Sequence, residues 1–336
     1  MFFLIPVGTD LATIETYSKY VLYADFLGVD RIIIGINMVN DKDDVDCQKD
    51  RYDEIKNQVI KFLNDKSIDC KSIVFIPYTN WIGDNIIKKS TSMAWWNGCD
   101  LVMKSEKDKI IHVDTLAQCL DLTVEIPKKN IDAKLRISIS GVFRIKNTDI
   151  ICGLVEQGIL KKNDEVYFLP NHTNKDPSTG KIFSIEMNHR TISVALPGDH
   201  IGMTIKALDP NLMPKIGNIM LLKNDTSINI CKKFTIRAHV LNNQSRSELK
   251  VGLMTTGSIR SLKTPIKLVE IKWKITSNKK KILNPLFIEQ NDIAELVFEP
   301  REPCVVQLGG ECDGLSRIAI WEDKMLVMIG KIIEYN

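Results

Sequence analysis

The hydrophobic period of this chain changes near residue 124, and no single-layer fold accommodates both parts. Before that point, apolar runs of strand length (FFLIPV at 2–7, VDRIIIGIN, SIVFIPY) alternate with segments of helical spacing. Ile14, Tyr17, Val21 and Ala24 recur at one helical interval before Gly28 closes the segment. Tyr52, Ile55, Val59, Phe62 and Leu63 mark a second helical face, and the stretch IIHVDTLAQCLDLTV reads as a third, short helix. Strand and helix in alternation predict a parallel α/β sheet.

After residue 124 the chain becomes a succession of short runs rich in Val, Ile, Leu and Phe. They are punctuated by KKND, PNHTNKDPSTGK, LPGD and DPNLMPKIGN and carry almost no helical period. This pattern predicts antiparallel barrels, with LLKNDTSINICKK (221–233) as the seam between two of them. A chain of 336 residues exceeds one ordinary core, so three domains are expected: 1–124, 129–226 and 230–336.

The charge balance, 45 basic against 42 acidic residues, announces no polyanion partner by itself, so any basic surface must be local. Eight cysteines without a C-x-x-C pair or a regular spacing to the five histidines argue against zinc and against a disulfide framework. MFFLIPV has no basic region before it and is far shorter than a membrane span. A cytoplasmic protein with no membrane partner is the expectation.

The strings GVDRIIIGINMVND, RYDEIKNQVIKFL, FIPYTNWIGDNI, MAWWNG, VEQGILKKNDEV, ALPGDHIG and SRIAIWE run through nearly the whole chain. In this order and spacing the sequence resembles translation elongation factor 1-alpha of eukaryotes and archaea. The resemblance implies a fold of α/β plus all-β class, a partial Ras-like G domain followed by two antiparallel β-barrels. It also implies GTP or GDP as cofactor, and aminoacyl-tRNA and the ribosome as partners. Release factor 3 and its ribosome-rescue relatives share the domain order, although WIGDN and MAWWNG look closer to the elongation factor.

Carried over residue by residue, the family's guanine motif N-K-x-D falls on Asn37, Met38, Val39 and Asn40. The asparagine is kept, while lysine and aspartate are replaced. A carboxylate accepts two hydrogen bonds from guanine, whereas the Asn40 amide offers one acceptor and sets a donor against a donor. Charge-assisted bonds contribute about 1.5–3 kcal/mol and neutral ones about 1, so guanine selection is expected to weaken by about ten-fold or more. Asp41 is a substitute acceptor if the loop slips, and the plain alternative is a polar strand-to-helix turn. The family's second base contact, a backbone amide, aligns with Thr79 and Asn80, just before Trp81. Asn37, Asn40, Asp41, Thr79, Asn80 and Trp81 therefore form the candidate base site, with Trp81, Trp95 and Trp96 read as packing residues.

By the same alignment the family's P-loop and D-x-x-G switch have no counterpart here, and no G-x-x-x-x-G-K-[ST] occurs. Residue 1 aligns beyond the switch, so GTP hydrolysis by this chain is not expected, and no catalytic or metal-ligating residue is assigned. The alternatives are a fragment of a complete GTPase, a pseudo-GTPase that binds ribosome, tRNA or cytoskeletal actin or a nucleotide-exchange factor without catalysis, and a decaying paralogue. In the last barrel, SNKKK (277–281) with Arg260, Lys263, Lys267, Lys272 and Lys274 gives a local basic excess. Arg260, Lys279, Lys280, Lys281 and Arg317 are the RNA-contact candidates, set against a solvated lysine hairpin. KNTDI (146–150) stands where the family has a glycine-rich turn, and His189 reads as a turn or packing residue.

Overall fold

The structure, a computed structural model, describes residues 2–6, 10–26, 28–29, 31–38, 45–65, 70, 73–102, 110–123, 129–145, 148–170, 179–228, 230–241, 248–276 and 278–336. Two compact units result, 1–127 and 128–336.

In the first unit, β1 (Phe2–Pro6), α1 (Leu11–Phe26), β2 (Ile32–Asn37), α2 (Val45–Asp65) and β3 (Ile73–Tyr78) build a three-stranded parallel sheet in the order β1-β2-β3. Asp10 starts α1 by accepting the amide of Thr13 at 2.9 Å, as an N-cap does. Ile14, Val21 and Ala24 are buried on its inner face, and Tyr52, Ile55, Val59 and Leu63 do the same for α2. β2 and β3 are buried on both faces, as parallel strands are, which is why they read as unbroken apolar runs.

A two-stranded ribbon follows, β4 (Cys99–Val102) with β5 (Ile110–Val113), before α3 (Leu116–Thr123). The stretch expected to be one helix from residue 110 therefore starts as a strand. The helix begins only where Thr115 accepts the Gln118 amide at 3.2 Å and Gln118 reaches back to the Asp114 amide at 2.9 Å. That reciprocal cap is a stronger start signal than the apolar run before it.

The second unit opens with β6 (Arg136–Ile145), β7 (Thr148–Gln157), β8 (Leu160–Lys161), β9 (Glu165–Leu169), β10 (Gly180–Met187), β11 (Arg190–Ile192), β12 (Val194–Ala195), β13 (His200–Lys206) and β14 (Ile219–Leu222). The order β10-β13-β7-β6-β14-β9 is closed by a β9–β10 pairing into a six-stranded barrel. Closure leaves no free edge among these six strands. Asn188 and His189 both adopt positive φ (52° and 61°) in the β10–β11 hairpin, so His189 is a turn residue.

The remaining strands are β15 (Phe234–Val240), β16 (Leu249–Lys250), β17 (Met254–Ile259), β18 (Leu262–Ile275), β19 (Lys281–Leu283), β20 (Phe287–Ile288), β21 (Ile293–Pro300), β22 (Arg317–Glu322) and β23 (Met325–Tyr335). They close a second barrel, in the order β17-β22-β23-β15-β21-β18, through β17–β18 pairing.

The two barrels share one apolar core on the side where Tyr167, Leu169, Ile219 and Leu221 of the first meet residues of the second. Gly217 (φ 91°) sits against Leu262, and a Cβ there would lie 2.7 Å from the Leu262 Cα, so only glycine permits this approach. Arg136, 2% exposed, spans the junction. Its guanidinium donates to Asp225 Oδ2 at 2.5 Å, Leu135 O at 2.6 Å, Ser227 Oγ at 2.9 Å and Gln307 Oε1 at 3.1 Å. Tyr167 donates its hydroxyl to the Asp225 carbonyl. A second tie joins Arg260 Nη2 to Glu156 Oε2 at 2.8 Å, and Ser138 donates to the other Glu156 oxygen at 2.7 Å.

Burial alone would raise the Asp225 carboxyl, but the bonds from Ser227 and Arg136 outweigh it and hold the group below the ordinary aspartate range. A depressed carboxylate supplies stability at neutral pH that is lost as pH falls through its folded pKa. Arg136→Met removes the buried guanidinium and leaves Asp225 only Ser227 and, at 3.5 Å, Lys134, so it is expected to cost about 3 kcal/mol, the lower end for breaking a buried pair. Adding Asp225→Asn is expected to restore about 1 kcal/mol or more and to flatten the acid limb of the stability curve. Urea unfolding of the full chain between neutral and acid pH reads both effects.

Candidate functional site

Two places in the molecule gather polar groups at loop ends. The first lies where β2 and β3 end side by side, with Asn37 in register with Tyr78. Carboxyl ends of parallel strands are where α/β sheets bind ligands. The Met38 amide bonds Tyr78 O at 2.7 Å, and the Asn37 Oδ1 accepts the Asn80 amide at 3.1 Å. Thr79 is buried and locks the following turn: its amide donates to Asp84 O, and its hydroxyl accepts the Asp84 amide, both at 3.2 Å. Asn85 is fully buried, donates to Pro77 O at 2.9 Å and accepts the Ser90 amide at 2.7 Å.

This loop is thus built from its own polar side chains. Both backbone amides of the Thr79–Asn80 step that the resemblance sets against a guanine oxygen are engaged, Thr79 by Asp84 O and Asn80 by Asn37. Met38 is buried at the position of the family's lysine. The Asp84 carboxylate accepts from Ser92 Oγ at 2.8 Å. Asn40 and Asp41 lie outside the described residues. Among the described residues, Asn37 and the Asn80 amide are bonded to each other rather than open to a base.

Trp81 is 95% exposed, which corrects the expectation that it packs. It leaves the turn that Thr79 and Asp84 close, so no neighbour covers it. Trp95 and Trp96 do pack, with ring centroids 5.4 and 5.9 Å from Tyr52, and Trp96 Nε1 donates to Asp114 O at 2.8 Å.

The second place is a cavity of about 370 Å³ on the first barrel, between β7, β10 and β13. Ile151, Ile205, Leu208 and Met213 supply apolar lining, Phe183 an aromatic ring, and Asp149, Thr148, Ser184 and Thr204 polar groups. Lys206 Nζ stands 3.5 Å from the Phe183 centroid and Lys162 Nζ 5.8 Å from it. The Ser184 and Thr204 hydroxyls are 2.7 Å apart. A half-exposed ring beside two ammonium groups presents a stacking face and positive charge together, the combination that holds a base with its phosphate. Sequence reading missed this site. Its only signal was Phe183 and Lys206 at outward positions of strands far apart in the chain.

In the second barrel the RNA-contact candidates divide into two kinds. Arg260 is paired with Glu156 and Arg317 with Asp313 at 2.7 Å, so both guanidiniums are held by carboxylates. Lys279, Lys280 and Lys281 are exposed, and Lys281 Nζ lies 4.8 Å from the Trp273 ring centroid. Lys274, counted in the basic excess, is buried between Asp292 (3.0 Å) and Glu289 (3.4 Å). Lys272 pairs with Glu334 at 3.0 Å. Ser277 lies outside the described residues. Among the described residues no cluster of three metal-ligating side chains occurs, and no helix is long and apolar enough to cross a membrane.

A parallel α/β unit followed by two closed six-stranded barrels is the architecture of a translational GTPase. Residues 149–219 match the family model for elongation factor Tu domain 2, and residues 233–333 the model for the GTP-eEF1A C-terminal domain. Elongation factor 1-alpha of Pyrococcus horikoshii is 31% identical over 334 residues, which cover 98% of this chain and 73% of that protein. The elongation factor 1-alpha of Desulfurococcus mucosus is 30% identical over 319 residues, covering 94% and 67%. The chain belongs to the elongation factor 1-alpha family. The fold is also that of sup35 solved in complex with GMPPNP, with a TM-score of 0.56 and 16% identity over 96% of this chain and 73% of that one.

Asn37→Ala is expected to release the Asn80 amide, which hydrogen exchange would read as faster exchange at Asn80. The loss of one neutral hydrogen bond is expected to lower global stability by about 1 kcal/mol.

Proposed function

We propose that this chain acts in translation as an aminoacyl-tRNA-binding protein of the elongation factor 1-alpha type, working at the ribosome through its two barrels, in which guanine nucleotide does not gate binding. The domain limits of this reading are 1–124, 129–226 and 230–336. The observation that carries it is the Phe183–Lys206 cavity, whose chemistry suits the terminal nucleotide of a tRNA. Lys279, Lys280 and Lys281 supply a separate phosphate contact on the second barrel, and the Arg136 clamp keeps the spacing of the two surfaces fixed.

The engaged Asn80 amide and the buried Met38 support a nucleotide site that binds guanine weakly or not at all. No phosphoryl step is assigned to these 336 residues. A pseudo-GTPase reading is favoured over that of a nucleotide-switched carrier by the same two observations.

Filter binding of charged and deacylated tRNA tests the reading. Phe183→Ala is expected to weaken binding of charged tRNA by about ten-fold, the worth of one stacked base. Neutralising Lys279, Lys280 and Lys281 together is expected to lower affinity for both tRNAs and to flatten the salt dependence. Unchanged binding by Phe183→Ala in a folded protein overturns the assignment of the cavity.

A further inference from the structure

Cys231 and Cys304 are buried thiols that face each other directly. They form an antiparallel bridge outside the named strands, with the Cys231 amide donating to Cys304 O at 2.8 Å. Both are free thiols, 3% and 0% exposed. Residues paired through such hydrogen bonds have Cα atoms about 5.5 Å apart, inside the span of roughly 4.4–6.8 Å that a disulfide bridges. Cys231 immediately precedes β15. Cys304 lies between β21 and β22, on the segment whose Gln307 bonds Arg136.

We propose that Cys231 and Cys304 form a reversible disulfide on exposure to hydrogen peroxide, tying the Gln307 segment to the start of the second barrel. The thiols are not equivalent. The hydrogen bond from Cys304 holds Cys231 below the ordinary thiol range despite its burial, and Cys304, as donor and by burial, is pushed well up. Cys231 is therefore the sulfur that ionises first and acts as nucleophile.

Its thiolate attacks one peroxide oxygen, the O–O bond breaks, and hydroxide leaves and takes up the proton that Cys231 released, giving Cys231 sulfenic acid and water. The Cys304 sulfur then attacks the sulfenic sulfur. The S–O bond breaks, and the departing hydroxide takes the Cys304 proton as a second water. Two thiols lose two electrons and two protons, and one peroxide is reduced to two waters.

The test treats the native full chain with hydrogen peroxide, then denatures it in an alkylating reagent and digests it without reductant. The expected result is a peptide joining Cys231 to Cys304 and the loss of two alkylatable thiols. A rise in melting temperature of roughly 5–10 °C should accompany them, all reversed by dithiothreitol. In Cys304→Ser the reaction is expected to stop at Cys231 sulfenic acid, trapped by dimedone present during the denaturation step, with no rise in melting temperature. The proposal is overturned if both thiols of the wild-type chain stay alkylatable while the partly exposed Cys152 oxidises. A cross-link joining any other pair overturns it equally. Because the primary readout uses the wild-type chain, a misfolded variant does not rescue the idea.

Discussion

The second unit depends on one buried cation. Arg136 lies on the first strand of the first barrel, yet the groups it bonds come from the seam at 225–227 and from Gln307 of the second barrel. A guanidinium removed from water is tolerated only where its donors are met, and here an anion, a backbone carbonyl, a hydroxyl and an amide meet them. The geometry of that fork fixes how the barrels face each other. Gly217 at Leu262 and Glu156 with Arg260 reinforce the same arrangement from other points of the junction. A satisfied buried network holds the spacing of the two barrels more rigidly than apolar contact alone, which is what the proposed engagement of one extended ligand by both would require.

The unit built around residues 1–127 follows a different logic. Its sheet is held by apolar strands and amphipathic helices, but the loops at the strand ends are knit by their own side chains, Asn37 to Asn80 and Asn85 to Pro77 and Ser90. Polar groups satisfied internally are not available to a ligand without a cost of about 1 kcal/mol or more per bond. In the first barrel Phe183, Lys162 and Lys206 are exposed, and the ring is engaged through the ammonium groups, Lys206 at 3.5 Å and Lys162 at 5.8 Å from its centroid. The exposed aromatic and basic side chains on which the proposed tRNA contact rests, Phe183, Lys162 and Lys206, thus lie on the first barrel.

Much of this was legible in the sequence. The break in period near residue 124, the apolar parallel strands and the buried positions Ile14, Val21, Tyr52, Ile55 and Leu63 follow from local pattern. The two barrels follow as well, from the short apolar runs and the turns between them, but the Arg136 clamp does not. The side-chain partners of Arg136 lie 89, 91 and 171 residues away along the chain, and nothing in the string LRISIS marks its arginine as buried. The start of α3 was misread because the apolar run IIHV outweighed the Thr115–Gln118 cap. Trp81 was misread because tryptophan is usually covered, and only the turn geometry sends this one outward. The cavity was missed because it is assembled from β7, β10 and β13, which are adjacent in the sheet but not consecutive in the chain.

The measurement that bears most directly on these conclusions is the equilibrium affinity for aminoacyl-tRNA with and without GTP, at one fixed salt concentration. If the barrels recognise tRNA and the loop at Asn37 and Asn80 does not gate them, the dissociation constant is the same in both conditions. Binding that appears only when GTP is added would contradict the account and return control of the molecule to its first unit.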